Sequence, residues 1–161
     1  MLRVAEAGGE WRTTSSRVFL VDGHPASRLG LKNLLDTNDM RVVGEPGDGE
    51  EILLLVEEMR PDLVALDLNL PGETESIEFC RRIKSLPEAP HVLLYTAYEF
   101  AGDVSSCLLA GTESYVHKRV TCEELLNAVR CTAVGEQVWL PGVRVVPPPV
   151  GCLYNELLSV L

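Results

Sequence analysis

The sequence has no apolar run that approaches the roughly 18 consecutive residues a membrane-spanning helix needs. Residues 1–16 also lack the apolar core of a secretory signal, since charged residues, two glycines and a Thr-Thr-Ser-Ser run interrupt them. Both observations argue against membrane contact. We therefore expect a protein of the cytoplasm.

Positive charge is scarce. The chain has 14 Lys and Arg residues against 24 Asp and Glu residues, which gives a net charge of −10 and a sequence pI near 4.7. A nucleic-acid-binding module usually has a basic patch, because neutralising phosphates supplies much of its affinity. We do not expect this chain to bind DNA by itself.

Closely spaced cysteine pairs are also missing. The five cysteines are odd in number, and no two of them have the C-x-x-C spacing that is typical of a redox or zinc motif. The spacing therefore indicates free thiols in a reducing compartment.

What the sequence does contain is enough apolar material for one globular domain, at 46% of 161 residues. Composition divides the chain into three parts. Residues 1–16 are expected to form a flexible leader and residues 17–140 a folded domain. Residues 141–161, which include three consecutive prolines at 147–149, are expected to form a stiff linker and tail.

Five short apolar runs, at residues 18–21, 41–44, 63–66, 92–95 and 114–117, predict strands. Helical spacing of apolar residues lies between them, around residues 31–35, 52–59, 79–86 and 125–133, and less clearly over 99–110. Residues 121–124 (Thr-Cys-Glu-Glu) fit a capping box. This alternation predicts a five-stranded, doubly wound parallel α/β sheet.

Ligands of open parallel sheets bind at the carboxyl ends of the strands. The predicted strands end at Asp22, Asp67, Thr96 and Lys118, so two carboxylates, a hydroxyl and an ammonium group converge on one edge. This set suits phosphoryl chemistry, in which a carboxylate attacks while the ammonium and hydroxyl groups stabilise the transferred oxygens.

Four segments carry a family resemblance. Residues 21–25 (Val-Asp-Gly-His-Pro), 66–72 (Leu-Asp-Leu-Asn-Leu-Pro-Gly), 95–97 (Tyr-Thr-Ala) and 115–118 (Tyr-Val-His-Lys) resemble the signature blocks of response-regulator receiver domains, in the same order. The first two resemble the NarL/FixJ branch in particular. The resemblance covers roughly residues 17–140 and implies a flavodoxin-like (βα)5 fold.

The resemblance also implies roles for individual residues. Asp67 matches the aspartate that accepts a phosphoryl group from a sensor histidine kinase. Thr96 and Lys118 match the hydroxyl and the lysine that bind the phosphoryl oxygens, and Tyr115 matches the aromatic switch residue. Asn69 matches the position whose backbone carbonyl helps to hold Mg²⁺.

The sequence departs from the family at its acidic pair. Asp22 matches the first acid, but Gly23 stands where a carboxylate that binds Mg²⁺ directly is expected. Mg²⁺ is usually coordinated by one or two carboxylates and keeps several water ligands. Asp22, Asp67 and Asn69 therefore predict a weak or absent Mg²⁺ site, and we expect poor or absent phosphorylation. A second departure, the acidic residues Glu73 and Glu75, is typical of a solvated helix N-terminus.

These features favour an atypical receiver that regulates partners and is not an enzyme. A homodimer is expected, formed by the first helix or by the face of the fourth helix, fifth strand and fifth helix. The domain could be switched by weak phosphorylation, fixed in one state, or switched by a small molecule in the degenerate pocket. DNA would be reached only through an output domain absent from this chain.

Three alternatives stay open. One is a conventional receiver switched by phosphorylation. Another is an aspartate-nucleophile phosphohydrolase, although Asn69 stands where such enzymes usually have a second aspartate. The third, a flavodoxin-type cofactor binder, lacks a phosphate-cradling loop after the first strand. His24 and His117 neighbour the motifs without forming a ligand set in the sequence, which favours core or surface roles for both.

Overall fold

The computed structural model describes residues 15–46, 51–70, 76–97, 106 and 109–140. The elements in these ranges, in chain order, are β1 (Ser16–Val21), α1 (Pro25–Asp36), β2 (Met40–Gly44), α2 (Glu51–Met59), β3 (Leu63–Leu66), α3 (Ser76–Lys84), β4 (His91–Thr96), β5 (Ser114–His117), α4 (Cys122–Ala133) and β6 (Trp139–Leu140). The five predicted strands are all present. The predicted helix over 99–110 lies largely outside the described residues. The tail also lies outside them, and so does the leader apart from its last two residues.

The strands form one parallel sheet in the order β2-β1-β3-β4-β5-β6. The chain begins at β1, inside the sheet, and forms one edge with β2. It then crosses to the other side of β1, where β3, β4, β5 and β6 follow in order to the opposite edge. The prediction of a doubly wound parallel α/β fold is confirmed. The order reverses between β1 and β3, and the crevice at such a reversal is where open sheets bind ligands.

Each face of the sheet is covered by helices, which is why its strands are apolar on both faces. Alternate strand residues such as Phe19 and Val64 pack with α2 and α3 on one face. Their neighbours Leu20 and Leu63 pack with α1 and α4 on the other. Strands without polar alternation are stable only in such a double-sided core.

The sheet has a sixth strand that the sequence pattern did not predict. β6 pairs in parallel with β5, with Trp139 opposite Tyr115, and the Tyr115 N–H donates to the carbonyl of Val138 at 2.9 Å. Val138 and Trp139 are buried. Two residues are too few to show a periodic signal, so this strand is visible only from its pairing with β5.

The predicted capping box opens α4. The backbone N–H of Glu124 donates to Thr121 Oγ1 at 3.2 Å, and the backbone N–H of Thr121 donates to Glu124 Oε2 at 2.7 Å. Two backbone donors that the helix itself leaves unpaired are thereby satisfied. The helix starts just after Lys118, so the box fixes the chain that follows this functional residue.

Two further expectations concern membranes and cysteines. None of the helices in the described part of the chain has the length and apolar character needed to cross a membrane. Cys80 and Cys122 are free thiols, as predicted, but Cys131 is disulfide-bonded, so the prediction of free thiols was wrong for Cys131. The prediction relied on spacing in the sequence, whereas a disulfide depends on spatial approach of residues that can be far apart in the chain.

Gly44 occupies a position where a side chain has no room. The register between β1 and β2 shifts after Val18, so Phe19 lies opposite Gly44, and a Cβ atom added at Gly44 would overlap the buried Phe19 ring. We predict that Gly44→Ala lowers the free energy of unfolding by about 1–3 kcal/mol, as other overpacking changes do. Chemical denaturation measures this.

Gly30 is the matched control. It lies on the exposed side of α1, and a Cβ atom there would meet nothing within 4 Å. Gly30→Ala should therefore raise the free energy of unfolding by about 1 kcal/mol, because alanine is the better helix former. Equal effects of the two substitutions would show that the Phe19 contact does not decide the cost at Gly44.

Candidate functional site

The ends of β1 and β3 bring two carboxylates together. Val21 and Leu66 are paired neighbours, and the N–H of Asp67 donates to the carbonyl of Val21 at 2.9 Å. Asp22 and Asp67 therefore follow side by side, with only 5% and 3% of their surfaces exposed. Two buried acids this close need a compensating positive charge, since like charges in a water-poor site repel strongly.

Lys118 provides that charge. Its ammonium Nζ donates to Asp67 Oδ2 at 2.6 Å, to Asp22 Oδ2 at 3.0 Å and to Ser27 Oγ at 3.3 Å. The Lys118 backbone N–H donates to the carbonyl of Thr96 at 2.7 Å, which holds the ends of β4 and β5 together. One lysine thus links the carboxyl ends of β1, β3 and β5.

The protonation of this cluster follows from its contacts. Burial alone would lower the pKa of Lys118, but its hydrogen bonds to Asp67 and Asp22 and their charges raise that pKa above its ordinary value. Burial alone would raise the pKa of Asp22, but the Ser27 hydroxyl, the His24 backbone N–H and Lys118 lower it. The ammonium and carboxylate forms therefore stabilise each other at neutral pH.

Of the other predicted site residues, Asn69 contacts this cluster, Gly23 and Thr96 adjoin it in the chain or the sheet, and Tyr115 lies further along β5. Asn69 donates its backbone N–H to Asp67 Oδ1 at 3.1 Å. Thr96 is fully buried at the end of β4. Tyr115 is buried on β5, and its ring stacks on Trp139 with centroids 5.9 Å apart and planes 6° apart. Gly23 follows Asp22 directly and offers no side-chain ligand.

The first turn of α1 supplies contacts that the sequence did not predict. Ser27 donates its hydroxyl to Asp22 Oδ2 at 2.6 Å, and Arg28 Nη1 donates to the carbonyl of Asp22 at 2.7 Å. Both residues are polar and lie one helical turn after the strand end. Their position next to Asp22 depends on the angle at which the chain enters α1, which no residue pattern reports.

His24 also lies in the site. Its Nδ1 is 3.3 Å from Asp22 Oδ1 and 3.7 Å from Asp67 Oδ2. The side chain is 58% exposed, in agreement with the expected surface role. It also faces Asp67, a contact that the sequence does not reveal because Asp67 is distant in sequence but adjacent in the sheet. His117, in contrast, is buried between the loops that follow β4 and β5.

The sequence matches the family model described as response regulator receiver domain over residues 18–130. The chain belongs to the response-regulator receiver family. It is 34% identical over 122 residues to the nitrate/nitrite response regulator protein NarL of Escherichia coli strain K12, covering 75% of this chain and 56% of that protein. It is 36% identical over 131 residues to the response regulator protein VraR of Staphylococcus aureus, covering 80% of this chain and 62% of that protein.

A solved receiver domain has the same fold. The signal receiver domain of the response regulator NarL from Mycobacterium tuberculosis superposes with a TM-score of 0.70 at 30% identity, covering 75% of this chain and 98% of that one. The predicted resemblance to NarL-type receivers is thus confirmed. The chain spans only about 56–62% of the length of the curated relatives named above.

The receiver's donor set fits Mg²⁺ only in part. Asp22 and Asp67 offer carboxylate oxygens, the ligands that Mg²⁺ prefers. Lys118 already binds one oxygen of each carboxylate, and Gly23 adds no third acid. The acidic residues cluster as in a metal-binding receiver pocket, but the two carboxylates share their charge with an internal cation.

We predict that Ser27→Ala raises the pKa of Asp22 towards its ordinary value of 3.8, because the variant loses the hydroxyl that donates to the carboxylate. At pH 7 the free energy of unfolding should fall by about 1.5–3 kcal/mol, the usual value of a hydrogen bond to a charged group. Carboxyl NMR titration measures the pKa, and urea denaturation measures the stability.

The contribution of Asp22 to the free energy of unfolding depends on pH. Folding lowers the pKa of Asp22, so its ionised form adds stability that is present above pH 3.8 and is lost as the pH falls through the lower folded value. The parent and Ser27→Ala should therefore converge in acid. Ser85→Ala, which removes an exposed hydroxyl bonded to the Arg81 carbonyl, is the control and should change stability by less than about 0.5 kcal/mol. A Ser27 effect that persists undiminished in acid would contradict a role through ionised Asp22.

Proposed function

We propose that this chain is an atypical receiver domain of a bacterial signalling or transcription regulator, in which Asp67 is the phosphoacceptor but is phosphorylated weakly or not at all. The observation that carries the proposal is the sharing of Lys118 by Asp22 and Asp67, with no carboxylate at Gly23 to recruit a metal ion. The domain acts as a regulatory module and not as an enzyme.

Charge in the pocket supports weak phosphorylation. Phosphorylation requires an Asp67 oxygen to attack a phosphorus atom that carries negatively charged oxygens, while the leaving group departs with its bonding electrons. In most receivers a divalent ion offsets this repulsion. Here the ion would depend on Asp22, Asp67 and the backbone carbonyl of Asn69, which leaves a weak Mg²⁺ site.

The alternative of a conventional switched receiver also has a specific observation in its favour. Lys118 lies 2.6 Å from Asp67, and the buried hydroxyl-bearing Thr96 lies on the adjacent strand end. Lysine and threonine would bind the phosphoryl oxygens once the group is transferred, so the residues that stabilise the product are present. The two proposals differ in how readily the phosphoryl group is transferred to Asp67.

A groove supports control by a small molecule. It has a volume of about 630 Å³, lies between α1 and α4, and reaches Lys118. Ser27 and Tyr95 give it polar groups, and Leu31, Leu34 and Leu125 give it an apolar wall. A ligand in this groove would therefore contact the apolar wall and Lys118.

The proposed partners follow from the family and the charge of the chain. A second copy of the chain and a sensor histidine kinase are proposed as protein partners. DNA would be contacted by an output domain outside this sequence, because the chain carries a net charge of −10 and covers little more than half of its curated relatives.

Gly23→Asp tests the proposal. The parent, incubated with acetyl phosphate and Mg²⁺, should show little or no phosphoryl adduct by intact mass above that of Asp67→Asn, whereas Gly23→Asp should show an abundant one. A group that merely orients a metal ligand is worth roughly 10–100-fold in affinity, so a direct carboxylate should tighten Mg²⁺ binding by at least about tenfold. The backbone conformation at Gly23 does not require glycine, since the described glycines with positive φ are Gly111 and Gly135.

Gly23→Asp combined with Asp67→Asn is the control, and it should show no adduct. An Asp67-dependent adduct on the parent as abundant as that on Gly23→Asp would overturn the proposal and favour the conventional receiver. Unchanged Mg²⁺ affinity in Gly23→Asp would also contradict the explanation through the missing carboxylate.

The Tyr115 switch can be followed separately. Trp139 stacks on Tyr115, so its fluorescence should respond when Tyr115 moves. The chain has two tryptophans, and Trp11→Phe leaves Trp139 as the only reporter. In the Gly23→Asp background, phosphodonor and Mg²⁺ should change the Trp139 emission, and Asp67→Asn should abolish the change. An unchanged emission in a protein shown by mass to be phosphorylated would exclude movement of Tyr115 against Trp139.

A further inference from the structure

A nitrogen ligand stands beside the two carboxylates. His24 Nδ1 lies 3.3 Å from Asp22 Oδ1 and 3.7 Å from Asp67 Oδ2, and one ligand atom from each of the three residues lies within 4.8 Å of the others. The three residues come from the ends of two strands that are adjacent in the sheet. Their convergence is a property of the fold and not of local sequence.

The His24 side chain has no structural task that would explain this position. His24 precedes α1 as its N-cap residue, yet its side chain makes no capping hydrogen bond. It is 58% exposed, so it adds little to the core, while the two carboxylates it faces are almost fully buried. An exposed imidazole beside buried acids gives a metal ion both a ligand and a path from solvent.

We infer that His24, Asp22 and Asp67 bind a divalent transition-metal ion of the zinc type in preference to Mg²⁺. Imidazole nitrogen suits Zn²⁺, Ni²⁺ and Cu²⁺, whereas Mg²⁺ takes oxygen ligands. The magnesium site implied by the family uses oxygen alone. The new element here is the nitrogen ligand, which accompanies the loss of a carboxylate at Gly23.

The distances favour this class of ion. Tetrahedral coordination with bonds of about 2.0–2.1 Å separates neighbouring ligand atoms by about 3.3 Å. The two separations from His24 Nδ1 are 3.3 and 3.7 Å, and all three ligand atoms lie within 4.8 Å of one another. A bound ion would draw the two carboxylate oxygens to the same spacing. Solvent fills the fourth position, because three protein ligands leave a zinc site open.

Lys118 does not prevent binding. It donates to Oδ2 of Asp22, whereas His24 faces Oδ1, so the ion and the ammonium group use different oxygens of Asp22. At Asp67 both use Oδ2, so the ion weakens that contact with Lys118. The ion also neutralises the negative charge that remains when two carboxylates share one lysine.

Calorimetric titration of the whole chain with Zn²⁺ and, separately, with Mg²⁺ tests the inference. The parent should bind Zn²⁺ at least about tenfold more tightly than Mg²⁺. His24→Ala should weaken Zn²⁺ binding by at least about tenfold, since even the indirect partners of metal ligands are worth that much, and should leave Mg²⁺ binding within about twofold.

His91→Ala is the matched control. His91 is a partly exposed histidine that also contacts one acid, Glu113, but lies at the start of β4. It should leave both affinities unchanged. Because the chain's cysteines can bind Zn²⁺ themselves, all variants differ from the parent only at a histidine. Thermal unfolding without metal checks that His24→Ala folds normally.

An unchanged Zn²⁺ affinity in His24→Ala would overturn the inference, and so would an equal loss of Zn²⁺ and Mg²⁺ affinity. The inference goes beyond the proposed function and does not depend on it. A phosphoryl adduct on the parent as abundant as that on Gly23→Asp would overturn the proposed function without changing these titrations. A failed titration would leave the mass measurement as it stands.

Discussion

The bridge from Lys118 to Asp22 and Asp67 is the interaction on which the pocket depends. Two nearly buried carboxylates at adjacent strand ends are tolerable only with a shared cation, and the lysine that supplies it comes from β5, beyond β4 in the sheet. The bridge can form only if β1, β3, β4 and β5 have their observed order in the sheet. It therefore stabilises that order at the carboxyl ends of the strands.

The site residues that could be predicted from the sequence are those that directly follow a strand. Asp22 and Asp67 each follow a continuous apolar run, and Lys118 follows a weaker one. Parallel strands place their carboxyl ends on one edge, so the meeting of the three residues follows from the pattern. Ser27 and His24 could not be predicted in the same way, since their contacts depend on how α1 leaves β1. The short strand β6 was missed for a different reason, because its only signal is tertiary pairing with β5.

His117 shows how the loops that carry Thr96 and Lys118 are coupled. Its Nε2 lies 3.0 Å from the carbonyl of Ala97, and its Nδ1 accepts from the backbone N–H of Arg119 at 3.0 Å. Because Nδ1 accepts a hydrogen bond, Nε2 is the ring nitrogen that donates to the carbonyl. A buried imidazole therefore ties the loop after β4 to the loop after β5. Movement of the hydroxyl and of the ammonium group towards a ligand is then a joint movement.

The same strand carries the coupling away from the pocket. Tyr115 lies three residues before Lys118 on β5 and stacks on Trp139, at the start of the strand that closes the sheet. Under the proposed function, a ligand that draws Lys118 away from Asp67 would act at one end of β5, and Tyr115 and Trp139 lie near the other. Packed aromatic rings have few alternative arrangements, so a shift there is more easily a switch between two states than a gradual deformation. Phosphoryl transfer and metal binding act on the same oxygen of Asp67 and on the same lysine. Either event would therefore change the contact between Lys118 and Asp67, at the end of β5.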